Sequence, residues 1–236
     1  MAATKKTDAE AIEQEAAKPA VLSVKIIFTE EVLGTSPNDT ELYSRFIASK
    51  APDAPLREEE IEAIGVEALE ERGMTVFSHM EDGTPYLYDY QVKGFFKDSC
   101  KILKKSGIAP KSAAMKTYKQ DIDGLVFPSP RKIALYMPLD KDSTICQRPL
   151  RASTPQGERV ALSSSEALPA GTWCEFKVEL VKASLKGALV EWLDYGRYRG
   201  IGQWRNSGKG RFVYELRDDA GKVISSNLDR INDELV

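Results

Sequence analysis

Residues 195–212 read YGRYRGIGQWRNSGKGRF. Two Gly-x-Gly pairs, Gly200 with Gly202 and Gly208 with Gly210, frame a short insert. Arg197, Arg199, Arg205, Lys209 and Arg211 lie in and around them, with no acidic residue in the span. Tyr195, Tyr198, Trp204 and Phe212 add aromatic rings. Glycine tolerates positive φ and lets a backbone lie close to another molecule. Consecutive exposed N–H groups form anion-binding concavities, and guanidinium groups pair with phosphate through a planar fork. Rings interleaved with arginines offer stacking platforms for unpaired bases. The stretch therefore predicts a loop that grips a nucleic-acid backbone: the five cations on phosphate, Trp204 and Tyr198 on bases. Gly-x-Gly pairs also make plain tight turns, so the flanking chain has to decide the reading.

Outward from the loop, Leu185, Leu189, Trp192 and Leu193 fall at helical spacing over 184–195, with Ser184 as a cap. On the other side, 210–217 reads as a closing strand. Upstream, Cys174, Phe176, Val178 and Leu180 alternate with Glu175, Lys177 and Glu179, the pattern of a half-buried antiparallel strand. Between 89 and 105, Val92, Phe95, Phe96, Ile102 and Leu103 give a helix an apolar face, while Lys93, Lys97, Lys101 and Lys104 make a basic stripe. Gly94 within that helix costs about 1 kcal/mol against alanine, which suggests that something approaches the backbone there. Residues 21–28, VLSVKIIF, read as a first strand. Further strands are expected at 74–77, 125–137, 146–153 (CQRPLRAS, carrying Arg148 and Arg151) and 159–163, with a short helix at 113–118. The order predicts an α+β fold with a ferredoxin-like (RRM-like) β-α-β-β-α-β core and an antiparallel sheet. A single domain over 21–225 is expected, with an arm at 1–20, an acidic helical insertion at 40–72 and a polar tail at 226–236.

A net charge of −3 over 236 residues excludes a generally basic coat. Any polyanion must be held by a local patch, because screening makes the phosphate field short-ranged. Three cysteines without C-x-x-C spacing and one histidine do not make a zinc site, and no metal is expected. There is no P-loop, because Gly208-Lys209-Gly210 lacks its spacing and its Ser/Thr, and the strand-before, helix-after setting of a dinucleotide site is also missing. No cofactor is expected. The absence of an apolar leader or span predicts a cytoplasmic protein without membrane contact. His79 is the one imidazole available for acid–base work; with Lys93 or Arg205 on the phosphorane charge it is the candidate for metal-free RNA cleavage.

Four stretches in order resemble the RAMP superfamily, the RRM-like proteins of CRISPR systems. These are GIGQWRNSGKG (200–210), YQVKGFFKD (90–98), the segment 150–180 with its turn into an inner strand, and VLSVKIIF. The resemblance implies a grip on single-stranded RNA (or ssDNA), with the glycine loop near the backbone and with Lys93 and Lys97 extending the patch. It implies partners such as further copies along the strand or other RAMP-like subunits. Backbone subunits of effector complexes are the nearer comparison. The processing endoribonucleases usually duplicate the fold and use a catalytic histidine. The single core expected here also suits a free-standing relative carried by a phage or other mobile element. A non-catalytic assembly subunit that binds a protein partner is the remaining alternative.

Overall fold

The structure is a computed structural model that describes residues 19–37, 74–154 and 157–231. The expected acidic helical insertion at 40–72, most of the arm and the end of the tail lie outside the described residues. What is described is a mixed α+β fold with three largely antiparallel sheets and four α-helices.

The principal sheet is built on β1 (Ala20–Phe28), whose Leu22, Val24, Ile26 and Phe28 are buried at every second position. The chain then forms β2 (Val32–Leu33), β3 (Ser36–Pro37), β4 (Thr75–Val76), β5 (Ser78–His79) and β6 (Pro85–Tyr88). Helix α1 (Asp89–Ser106) follows, then α2 (Pro110–Ala114), α3 (Tyr118–Leu125), β7 (Val126–Ser129), β8 (Lys132–Ala134), β9 (Thr144–Thr154), β10 (Gly157–Leu168) and β11 (Trp173–Leu180). Helix α4 (Lys186–Asp194), β12 (Phe212–Arg217) and β13 (Val223–Ser226) complete the order.

In the principal sheet the strands lie side by side as β13-β12-β1-β11-β7, and every neighbouring pair is antiparallel. A period of two sends Cys174, Phe176, Val178 and Leu180 of β11 inward and leaves Glu175, Lys177 and Glu179 in water. Helices α1 and α4 cover the inner face. Phe95 meets Phe212 edge-on at 5.2 Å, and Phe96 lies 5.6 Å from Trp192, centroid to centroid. Each such ring, fully buried, contributes about 1.5–3 kcal/mol. Helix α1 starts where the Gln91 carboxamide accepts the Tyr88 N–H at 2.7 Å and ends at Gly107, φ 72°, whose N–H donates to Leu103 O. Glu191 of α4 accepts the N–H groups of Lys111 and Ser112, and Ser112 Oγ accepts the Trp192 indole N–H at 3.1 Å, so α2 is pinned to α4.

Several boundaries differ from the sequence reading. The segments expected at 146–153 and 159–163 are the two arms of one long hairpin, β9–β10. Its polar part is hidden from a hydrophobic pattern because Ser165 is buried by pairing with Thr75, Oγ to Oγ1 at 2.8 Å. The short helix expected at 113–118 is instead the end of α2, a break at 115–117 and the start of α3, with Pro110 opening α2. Ser184 sits in a 3-10 turn, and no side chain caps α4. The strand β13 runs up to Ser226, the first residue of the expected tail, and the next residue, Asn227, is tied to the sheet, its Oδ1 accepting the Tyr214 N–H at 2.8 Å.

Candidate nucleic-acid interface

The loop after α4 closes upon its own backbone. Ile201 N–H donates to Gly210 O at 3.0 Å, and Gly210 N–H donates to Glu31 O at 2.7 Å. A Cβ at Gly200 would overlap the Gly210 carbonyl group, and one at Gly210, φ 71°, would overlap Ile201 O. Gly202 faces Leu33 O of β2 in the same way. Gly200, Ile201, Gly208 and Gly210 are buried. The glycines thus hold the loop together and seat it beside β2, leaving the insert between them outermost. Trp204 begins that insert with φ 51° and ψ 33°, and it is the non-glycine residue with positive φ among those described. A left-handed L-residue costs roughly 1–2 kcal/mol. Arg205–Ser207 form a 3-10 turn after it, and Gly208, φ 89°, ends the turn.

The cations stand around this frame. Arg199 Nε and Arg205 Nη1 both donate to Asp98 Oδ2 of α1, at 2.5 and 3.0 Å, and Arg199 Nη1 donates to Asn206 Oδ1. Lys209 Nζ donates to Glu31 Oε2 at 2.5 Å, and that hydrogen bond raises the lysine pKa. The Arg197 guanidinium lies 4.6 Å over the Tyr198 ring, and Tyr198 itself is exposed. Arg211 packs against Gly208. Lys93 donates to Asp123 O at 3.1 Å and covers the Phe127 ring; desolvation lowers its pKa. Lys97 pairs with Asp123 at 2.5 Å.

The predicted residues therefore fall into two groups. At about 100° per residue, Lys93 and Lys97 lie toward one flank of α1 and Asp98, with its two arginines, on the other. Gly94 lies on the crest between them, with nothing within 4 Å of the Cβ it lacks. Four of the seven basic residues, Lys97, Arg199, Arg205 and Lys209, meet three carboxylates in these contacts: Asp123, Asp98 and Glu31.

Sequence reasoning did not find those three carboxylates, nor the part played by Arg148. Arg148 on β9 is 9% exposed; its Nη2 donates to Gln203 Oε1 at 2.9 Å, and its guanidinium carbon lies 4.9 Å from the Trp204 ring centroid. The arginine was visible in CQRPLRAS, but pairing across the hairpin is what brings it to the loop.

His79 stands apart, in β5 of the sheet β5-β6-β8, with Nε2 3.4 Å from Glu166 Oε1. The cations proposed to assist it have other partners. Among the described residues no group of three or more His, Cys, Asp or Glu side chains is placed to hold a metal ion, and no helix is long and apolar enough to cross a membrane. On the sheet face turned away from the helices lies a groove of about 610 Å³, where Lys25, Lys177 and Arg217 mix with Glu175, Glu215, Asp218 and Asp219.

No protein-family model matches the chain, and no curated protein matches it. Among solved structures, 153 chains match. One belongs to the cryo-EM structure of the Type III-B Cmr-beta bound to cognate target RNA, with 10% identity and a TM-score of 0.48 over 95% of this chain. The match spans 66% of that protein's chain, just under two thirds of its length.

Proposed function

We propose that this protein binds single-stranded nucleic acid, RNA above all, in the manner of the RAMP proteins, and that its principal sheet with α1 and α4 is a ferredoxin-like core. The strand order β12-β1-β11-β7 with one helix after β1 and one after β11 supports the core assignment. The observation that carries the functional reading is the ring of cations around the outer face of α1. Lys93 and Lys97 stand on one flank, Arg199 and Arg205 on the other, and the bare backbone of Gly94 lies between. A phosphodiester chain crossing there meets charge on both sides and no side chain beneath.

Arg197, Lys209 and Arg211 extend the track along the loop, and the exposed rings of Tyr198 and Trp204 offer stacking faces. Gly200, Gly202, Gly208 and Gly210 contribute by shaping the loop, with the strand passing over the insert they frame. Ion pairing with Asp98, Glu31 and Asp123 does not remove this capacity, because a phosphate oxygen displaces or shares a carboxylate partner and releases counterions as it does so. No catalytic role is assigned to His79, whose partner is Glu166.

The test is binding of length-matched RNA and DNA single strands, followed by fluorescence anisotropy at two salt concentrations. Salt-sensitive binding that favours RNA and falls with Arg205→Ala, at unchanged circular dichroism, is the expected result. No binding to any oligonucleotide at low salt overturns the reading.

A further inference from the structure

Buried side-chain polar atoms without a hydrogen-bond partner are rare in native proteins, and each asks for a cause. Among the described residues they are Ser99 Oγ and four arginine nitrogens: Arg148 Nε and Nη1, Arg197 Nε and Arg211 Nε. All four nitrogens belong to guanidiniums on, or packed against, one loop. The most buried of the three is Arg148, which has no carboxylate in contact among the described residues and one neutral acceptor, Gln203 Oε1. Its roof is the Trp204 ring, and the Trp204 backbone is held in a left-handed conformation.

We propose that Arg148, Gln203 and Trp204 form a closed single-nucleotide subsite, in which Arg148 takes one phosphate and Trp204 stacks one base. This inference rests on the nucleic-acid reading above and adds to it a residue from the β9–β10 hairpin, outside the glycine loop. The indole lies over the guanidinium, and this cation–π contact offsets part of the cost of its unpartnered nitrogens. An arriving phosphate supplies the acceptor oxygens that Nε and Nη1 lack. Trp204, 38% exposed, moves off the guanidinium and offers its face to a base. Gln203 keeps hold of Nη2, so the guanidinium stays oriented. Because Arg148 lies on β9 and Trp204 on the loop, an occupied subsite ties the hairpin to the loop across the bound strand.

A purely structural Arg148, cross-linking hairpin and loop, makes the opposite forecast for stability. An unpaired buried charge is costly, and its replacement by an apolar residue of like size is often neutral or stabilising. The experiment titrates the full chain with a 12-nucleotide oligouridylate RNA and reads tryptophan fluorescence, affinity, salt slope and Tm. Wild type should show a fluorescence change that Trp204→Phe abolishes, with Trp192 and Trp173 as the silent background. Arg148→Met should keep or raise Tm while affinity falls about tenfold, with the salt slope smaller by roughly 0.7.

Arg148→Lys keeps the charge without the planar fork, and it serves if the methionine variant does not fold. It should retain the salt slope and still lose affinity severalfold. Oligouridylate binding that leaves Trp204 fluorescence unmoved, or that is unaltered in the folded Arg148 variant, overturns the subsite and leaves the wider grip standing. Failure of the wild type to bind any oligonucleotide overturns both.

Discussion

The glycines of the 195–212 loop and the glycine of α1 sit a short distance apart and are used in opposite ways. At Gly200, Gly202 and Gly210 the missing side chain is filled by the protein itself: the Gly210 carbonyl, Leu33 O and Ile201 O occupy the space. At Gly94 the space is empty, on a helix where alanine would be the better residue. A glycine whose vacancy is filled from within is explained by folding. A glycine whose vacancy stays open, at a cost to its helix, has no such internal reason, and the proposed reading supplies one from outside at Gly94. On the proposed reading the two regions divide the labour, with the loop as a frame for its basic insert and α1 as the surface over which a ligand would pass.

The largest expected effect lies on the frame. Gly210→Ala places a Cβ on Ile201 O with φ at +71°, and both faults act together. A loss of about 3 kcal/mol or more is expected, read as a lowered urea midpoint, with the loop's binding lost as well. If Gly210→Ala is as stable as wild type, the frame is looser than described and the comparison fails. Next comes Asp98, the hinge between the two regions. Asp98→Asn removes the charge that both Arg199 and Arg205 engage. Stability should fall by about 1–2 kcal/mol, while affinity for single-stranded RNA at low salt rises and the salt slope steepens. Lower affinity at unchanged slope would mean that Asp98 aims the arginines more than it restrains them.

How much of this was legible in sequence follows from the range of each signal. The strands β1 and β11 and the helices α1 and α4 carry their burial in local periodicity, and they were readable to within a few residues. The loop was readable as a cluster of residue types. Its closure was not, because the partners of Gly200, Gly202 and Gly210 include the distant Glu31 and Leu33 as well as the loop's own other arm. Asp98 was quoted in a helical motif, yet nothing in its neighbours announces two arginines a hundred residues later in the chain. Arg148 was legible as an arginine in an extended segment. Its burial depends on the register of β9 with β10 and on the left-handed turn at Trp204, and neither has a local sequence signature.

The sharpest division between the regions is Gly94→Ala. In an exposed helix this change should stabilise by about 1 kcal/mol, which raises Tm by about 2–4 °C for a chain of this size. Nothing in the protein opposes the added methyl group. If a strand crosses the crest of α1 close to its backbone, the same methyl weakens binding severalfold, so stability and affinity move in opposite directions. A variant both more stable and equally tight would leave Gly94 unexplained and shift the track toward the loop alone. The control is Lys177→Ala on the opposite sheet face, where the lysine is balanced by acids. Being solvent-exposed there, it should change stability by less than about 0.5 kcal/mol and leave both affinity and salt slope where they are. If Lys177→Ala lowers the slope as much as Lys97→Ala does, the polyanion runs across the open sheet, and the helix face is not its path.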